Sequence, residues 1–131
     1  MQYDYILVLI LLIIIFFLVK YVGVIYKKNV FLKNRDTKTV KSIYEIFESE
    51  VSYELFQIIW LKIANIFKLP PEKLKLDDTI EQLSLLSFSS EYIEDVLQKE
   101  LEVFGINNGE LTIHSTLRDI VQLISARKNI K

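Results

Sequence analysis

Few residues in this chain can carry covalent or acid–base chemistry. There is no cysteine and a single histidine, His114. A thiolate nucleophile, a cysteine-based metal site and a disulfide framework are therefore excluded, and any serine–histidine dyad would have to use His114. His114 precedes a helix in a turn-like stretch, the setting of a surface or boundary residue. The pair Asp77-Asp78 stands at the end of a loop and reads as a helix-start signal rather than as metal ligands. Three glycines, none grouped, leave no phosphate-binding loop. What remains is a serine-rich corner, Ser84, Ser87, Ser89 and Ser90, followed at once by Glu91, Glu94 and Asp95. A serine at a helix start is ordinarily a cap, its oxygen accepting from a first-turn N–H, and three of these four stand close enough to cap the same helix. Nothing in this set assembles into an active site, so the chain is not expected to be an enzyme.

The elements that position the corner follow from periodicity and punctuation. Asp36 to about Phe67 reads as helix, and its Leu55–Phe67 part is apolar on nearly every side, so it should be widely buried or share a face with a partner. Trp60 belongs to that core. Pro70-Pro71 stops the helix. Lys68 to Ser87 is then a long loop with apolar pegs at Leu69, Leu74, Leu76, Ile80, Leu83 and Leu85. A second helix is expected from about Phe88 to Val103, with Ile93, Val96, Leu97, Leu101 and Phe104 at helical spacing. Gly105 and Asn107-Asn108-Gly109 are turn chemistry. A last helix opens at Ser115 or Thr116, with Asp119 in its first turn and Leu117, Ile120, Val121 and Ile124 as its buried stripe.

The segment Asp78–Phe88, DTIEQLSLLSF, resembles the stretch around the prosthetic-group serine of acyl and peptidyl carrier proteins, roughly D-S-L-E-E-L-G-x-D-S-L. Asp78, Thr79, Ile80, Glu81, Gln82 and Leu83 follow that pattern, Ser87 falls on the modified serine, and Phe88 falls on the apolar residue after it. The likeness runs from about Leu55 to Ser125, with Phe88–Leu101 resembling the family's second helix and His114–Ile124 its closing helix. It implies 4′-phosphopantetheine carried on Ser87, whose thiol would hold an acyl or aminoacyl group; the missing cysteine agrees with a borrowed thiol. Backbone N–H groups at the helix start would favour the arm's phosphate. It also implies partners: a phosphopantetheinyl transferase, and acyltransferase-type or other basic-surfaced enzymes met by Glu91, Glu94 and Asp95. The pattern departs at three places: Leu86 replaces the aspartate before the serine, Ser84 replaces the glycine, and Tyr92 stands where an acid is usual. These departures keep open a second reading, an unmodified carrier-like fold acting as an interaction module or accessory subunit.

The hydrophobic excess (51% of residues, mean hydropathy +0.28) has its own location. Tyr5–Val19 is 15 unbroken apolar residues, and continued through Lys20 to Tyr26 the stretch reaches 22, enough to cross a membrane. Lys20 can extend its stem towards the headgroups, and Tyr21 and Tyr26 suit an interface. The head Met1-Gln2-Tyr3-Asp4 has no base, and no small-residue cleavage site follows, so an uncleaved anchor is expected rather than a signal peptide. Residues 20–41 carry seven bases and one acid, which predicts a single-pass protein of the cell membrane with its N-terminus outside and the rest cytoplasmic. The same bases can lie against membrane lipid. Residues 42–119 carry six bases and 15 acids, a net −9 that excludes nucleic-acid binding by phosphate neutralisation and suits basic proteins. The expected organisation is all-α: an anchor over 1–26, a basic juxtamembrane helical connector over 27–50, and over 51–131 a small four-helix carrier-like bundle with a long loop between its first two helices.

Overall fold

The computed structural model describes residues 2–47 and 51–129. It is all-helical: among the described residues there is no strand, only an isolated antiparallel bridge between Thr79 and Thr116. The chain divides into two compact units, one ending at Asn34 and the other starting at Arg35.

The first unit is one helix, α1 (Gln2–Lys33), continuing past Tyr26 to Lys33 without a break. At 1.5 Å per residue it is about 48 Å long, well over the thickness of a hydrocarbon core. None of its residues is buried, and the apolar side chains from Ile6 to Val19 are each 47–67% exposed. A helix apolar all round needs an apolar surrounding, and α1 is long and apolar enough to cross a membrane.

The second unit holds α2 (Val40–Ile46), α3 (Tyr53–Phe67), a 3₁₀ turn (Pro71–Lys73), α4 (Ile80–Ser84), α5 (Ser90–Val103) and α6 (Leu117–Asn129). The stretch 27–50, expected as a connector, is thus divided: 27–33 continues α1, while Arg35–Phe47 belongs to the second unit and 48–50 lie outside the described residues.

The expected helix from Asp36 to Phe67 is instead two helices. Thr39 is extended and caps α2, accepting from Ser42 N–H, and Ser52 caps α3, accepting from Leu55 N–H. Each cap competes with continued helix for the backbone. Between the helices, Phe47 and Val51 are turned into the core, each 3% exposed. The Tyr44 hydroxyl donates to the Val51 carbonyl and closes the gap.

Packing centres on α3, which buries Phe56, Ile59, Trp60, Ile63, Ala64 and Phe67 and packs against α2, α5 and α6. Tyr44, Phe47 and Phe56 form an aromatic group that continues to Trp60, stacked on Phe56 at 5.2 Å. The buried Trp60 indole donates to the Pro71 carbonyl at 2.9 Å, as a buried N–H must find an acceptor. The stripe Leu117, Ile120, Val121 and Ile124 of α6 is wholly buried. Its start is a reciprocal cap: Thr116 Oγ1 accepts from Asp119 N–H, and Asp119 accepts from Thr116 N–H.

The long segment between α3 and α5 is more ordered than a loop with pegs. Arg35 forms a two-pronged ion pair with Asp78, both contacts at 2.6 Å, with the side chains only 13% and 4% exposed. The same carboxylate accepts from Lys75 N–H, and the Asp78 carbonyl accepts from Leu117 N–H. Arg35 also donates to the Lys73 carbonyl, and Lys73 Nζ returns a bond to the Arg35 carbonyl. Asp78, expected as a helix-start acid, is therefore a buried junction joining the start of the unit, the loop and α6.

Candidate functional site

The serine-rich corner is built by α4 and the first turn of α5. Thr79 and Gln82 form a capping box, Thr79 Oγ1 accepting from Gln82 N–H while the Gln82 side chain accepts from Thr79 N–H. That box starts a helix inside the expected loop. The turn continues beyond α4, with Leu85 N–H on the Glu81 carbonyl, Leu86 N–H on Leu83, and Ser87 N–H on Ser84. Ile80, Leu83, Ser84 and Leu86 fall on its inner side and are buried. Leu85, expected as a buried peg, points outward at 56% exposure, and Leu86 takes the inward place one helical turn beyond Leu83.

Ser87 comes next and is half-buried. Its hydroxyl donates to the Ser84 carbonyl at 2.6 Å. Ser87 does not cap α5. Ser89 does, its side chain accepting from Tyr92 N–H, and the helix begins at Ser90, so Phe88 lies outside it. Ser87 thus stands two residues before the cap of a 14-residue helix whose first-turn N–H groups lack intrahelical acceptors. Ser84 is fully buried and its hydroxyl has no hydrogen-bond partner among the described residues.

Glu91, Glu94 and Asp95 stand at i, i+3 and i+4 on α5, hence on one face, in the first two turns of the helix that follows Ser87. Glu91 and Asp95 are exposed and Glu94 half-buried. Glu94 and Asp95 also edge an open cleft of about 280 Å³, whose other walls include Ile80, Gln98, Leu111 and Thr112. From Leu76 to Thr116 there are nine acids and one lysine, Lys99. His114 is exposed and reaches Glu81 at 3.4 Å, not Ser87. Among the described residues no group of three histidine, aspartate or glutamate side chains could hold a metal ion.

Two features of the corner go beyond the sequence reading: Leu85, expected as a peg, faces outward, and Tyr92, noted only as a departure from the carrier pattern, is 67% exposed. The second was visible as an aromatic residue at a helix position three past the cap; the first depends on where the turn after α4 tightens. The arrangement offers a half-buried hydroxyl just ahead of a helix whose exposed first turns carry acids. No protein-family model matches the chain, no curated protein matches it, and no solved structure matches it.

Proposed function

We propose that the chain is a membrane-anchored carrier-like protein, with α1 as a single-pass anchor and the helical unit held at the cytoplasmic face. Ser87 is its attachment point for 4′-phosphopantetheine, and Glu91, Glu94 and Asp95 form its docking face. The observation that carries this reading is the position of Ser87: a half-buried residue two positions before the cap of α5, the helix that carries the acids. The group fits at the attachment atom, because the oxygen is within reach of the surface and the first-turn N–H groups of α5 favour a phosphodiester beside them. Once bound, the arm supplies a thiol that holds an acyl or aminoacyl group as a thioester. The chain's own contribution is to present the hydroxyl, to favour the phosphate electrostatically, and to orient basic-surfaced partners, a transferase and acyltransferase-type enzymes, through the acidic face. The basic stretch 20–41 supports the cytoplasmic placement, and tethering keeps the local concentration of the carried group high for membrane-associated enzymes.

One observation favours a second reading, an unmodified interaction module on the same fold. Leu86, at the place of the aspartate before the serine, is 8% exposed and packed inward, so a transferase would find no side chain there to recognise. Intact mass of the protein made in its native host separates the two. The carrier reading expects one added phosphopantetheine on the wild type and none on Ser87→Ala. An unmodified wild type removes it and leaves the module.

A further inference from the structure

The α4–α5 corner carries large apolar side chains on its outside. Leu85 is 56% exposed, Phe88 41% and Tyr92 67%, all within eight residues of chain. Acids stand close by in the chain: Glu81 on α4 and Glu91 and Asp95 on α5, of which the two on α5 are exposed. Elsewhere on the second unit the exposed apolar residues are spread along other elements, such as Ile58 and Leu61 on α3 and Val103 at the end of α5. At the corner three fall within residues 81–95, which hold four acids and no lysine or arginine.

We infer that this corner is a protein-docking surface in which Leu85, Phe88 and Tyr92 are the anchors and Glu81, Glu91 and Asp95 the rim. The occupant is a protein cleft with an apolar floor and a lysine- or arginine-bearing edge. The charge pattern selects that occupant. An anionic membrane surface is repelled by the rim, and a second copy of the same corner would place acid against acid. Interfaces of this type draw affinity from a few buried aromatic and aliphatic anchors, while rim charges govern approach and selection. A tyrosine suits the centre, since it buries a large rigid surface and keeps a polar end for the edge. The inference rests on the docking half of the proposed function and does not require Ser87 to be modified. It adds that affinity resides in the apolar anchors rather than in the acids.

The test is photo-crosslinking in living native-host cells, using full-length protein with benzoylphenylalanine at Tyr92, at Leu85, or at Ile58 on α3 as a control. The expected result is one shared adduct at positions 92 and 85 and not at 58. Mass spectrometry of the linked peptide should place a lysine or arginine beside the contact. In protein carrying the photoprobe at Leu85, Tyr92→Ala should lower the adduct yield about tenfold or more, whereas Glu91→Gln with Asp95→Asn should lower it less. Because Tyr92 is exposed, Tyr92→Ala keeps the helical circular-dichroism signal of the wild type, so a loss of adduct reports the surface. The same protein with Ser87→Ala must still give the adduct. Absence of a shared adduct, an adduct equal to that at 58, or one formed with lipid or with a second copy of this chain overturns the inference. So does a larger loss on neutralising the acids than on removing Tyr92. An adduct that persists while the intact mass shows no modified Ser87 upholds the docking surface and discards the carrier.

Discussion

Helices α3 and α5 begin and end alike, and they do different things. Each opens on a serine whose side chain accepts from the N–H three residues on, Ser52 for Leu55 and Ser89 for Tyr92. Each closes through a residue in the left-handed region, Lys68 at φ 54 and Gly105 at φ 86. They are nearly the same length, 15 and 14 residues. Yet α3 buries six residues and α5 three, Ile93, Leu97 and Leu101. End chemistry says where a helix starts and stops and is silent about its use. The faces decide that: α3 is spent on the core, while α5 keeps a narrow apolar stripe and leaves Glu91, Tyr92 and Asp95 to solvent.

The contrast can be broken at its widest point by truncating one aromatic on each helix. Phe56→Ala removes a fully buried ring in contact with Tyr44, Phe47 and Trp60, and should cost about 3–5 kcal/mol in denaturant titration of the full chain in detergent, followed by Trp60 fluorescence. Tyr92→Ala, on the exposed face of α5, should change stability by no more than about 0.5 kcal/mol in the same titration. Equal costs would mean that the outer face of α5 is structural and would remove the division of labour.

The shared features should respond alike where the faces do not. Ser52→Ala and Ser89→Ala each delete one cap bond, and each should cost about 1 kcal/mol by the same titration. A loss at Ser89 several times larger than at Ser52 would show that the corner needs its cap for more than helix initiation.

The two helix ends should respond with opposite signs. Lysine is strained in a left-handed conformation and glycine is not. Lys68→Gly should therefore raise the unfolding free energy by about 1 kcal/mol, and Gly105→Ala should lower it by a similar amount, in the same titration. A side chain at Gly105 would meet no atom within 4 Å, so that loss measures backbone preference alone. A destabilising Lys68→Gly would show that the lysine side chain contributes something its backbone conformation does not reveal.

How much of this was legible depended on the range of the cause. The stripe of α6 and the apolar positions Ile93, Leu97 and Leu101 of α5 are periodic, and they are buried as periodicity requires. The capping box at Thr79 and Gln82 was also local and could have announced α4, since threonine followed three residues later by glutamine is a start signal in its own right. The exchange of Leu85 for Leu86 was not legible, because two adjacent leucines in a segment without established period give no face. Nor was the split of the expected helix from Asp36 to Phe67 easy to see: Thr39 and Ser52 are ordinary residues until the burial of Phe47 and Val51 makes the break favourable. Least legible was the partnership of Arg35 and Asp78, 43 residues apart. In sequence the arginine reads as one more base in a topology signal. For the site itself, the residue types and order at Ser87, Glu91, Glu94 and Asp95 could be read, while the outward Leu85 required the fold.

The Arg35–Asp78 pair also sets where this chain can be cut. A fragment starting at residue 51, the boundary that composition suggests, would keep a carboxylate at 4% exposure and discard the guanidinium that neutralises it. A buried charge left alone is far more damaging than a surface one, and the lost arginine also braces the Lys73 carbonyl. A fragment starting at Arg35 keeps both halves of the pair and leaves behind only the first unit, residues 1–34. The second unit therefore begins within two residues of the end of α1, and the basic residues from Arg35 to Lys41 belong to it.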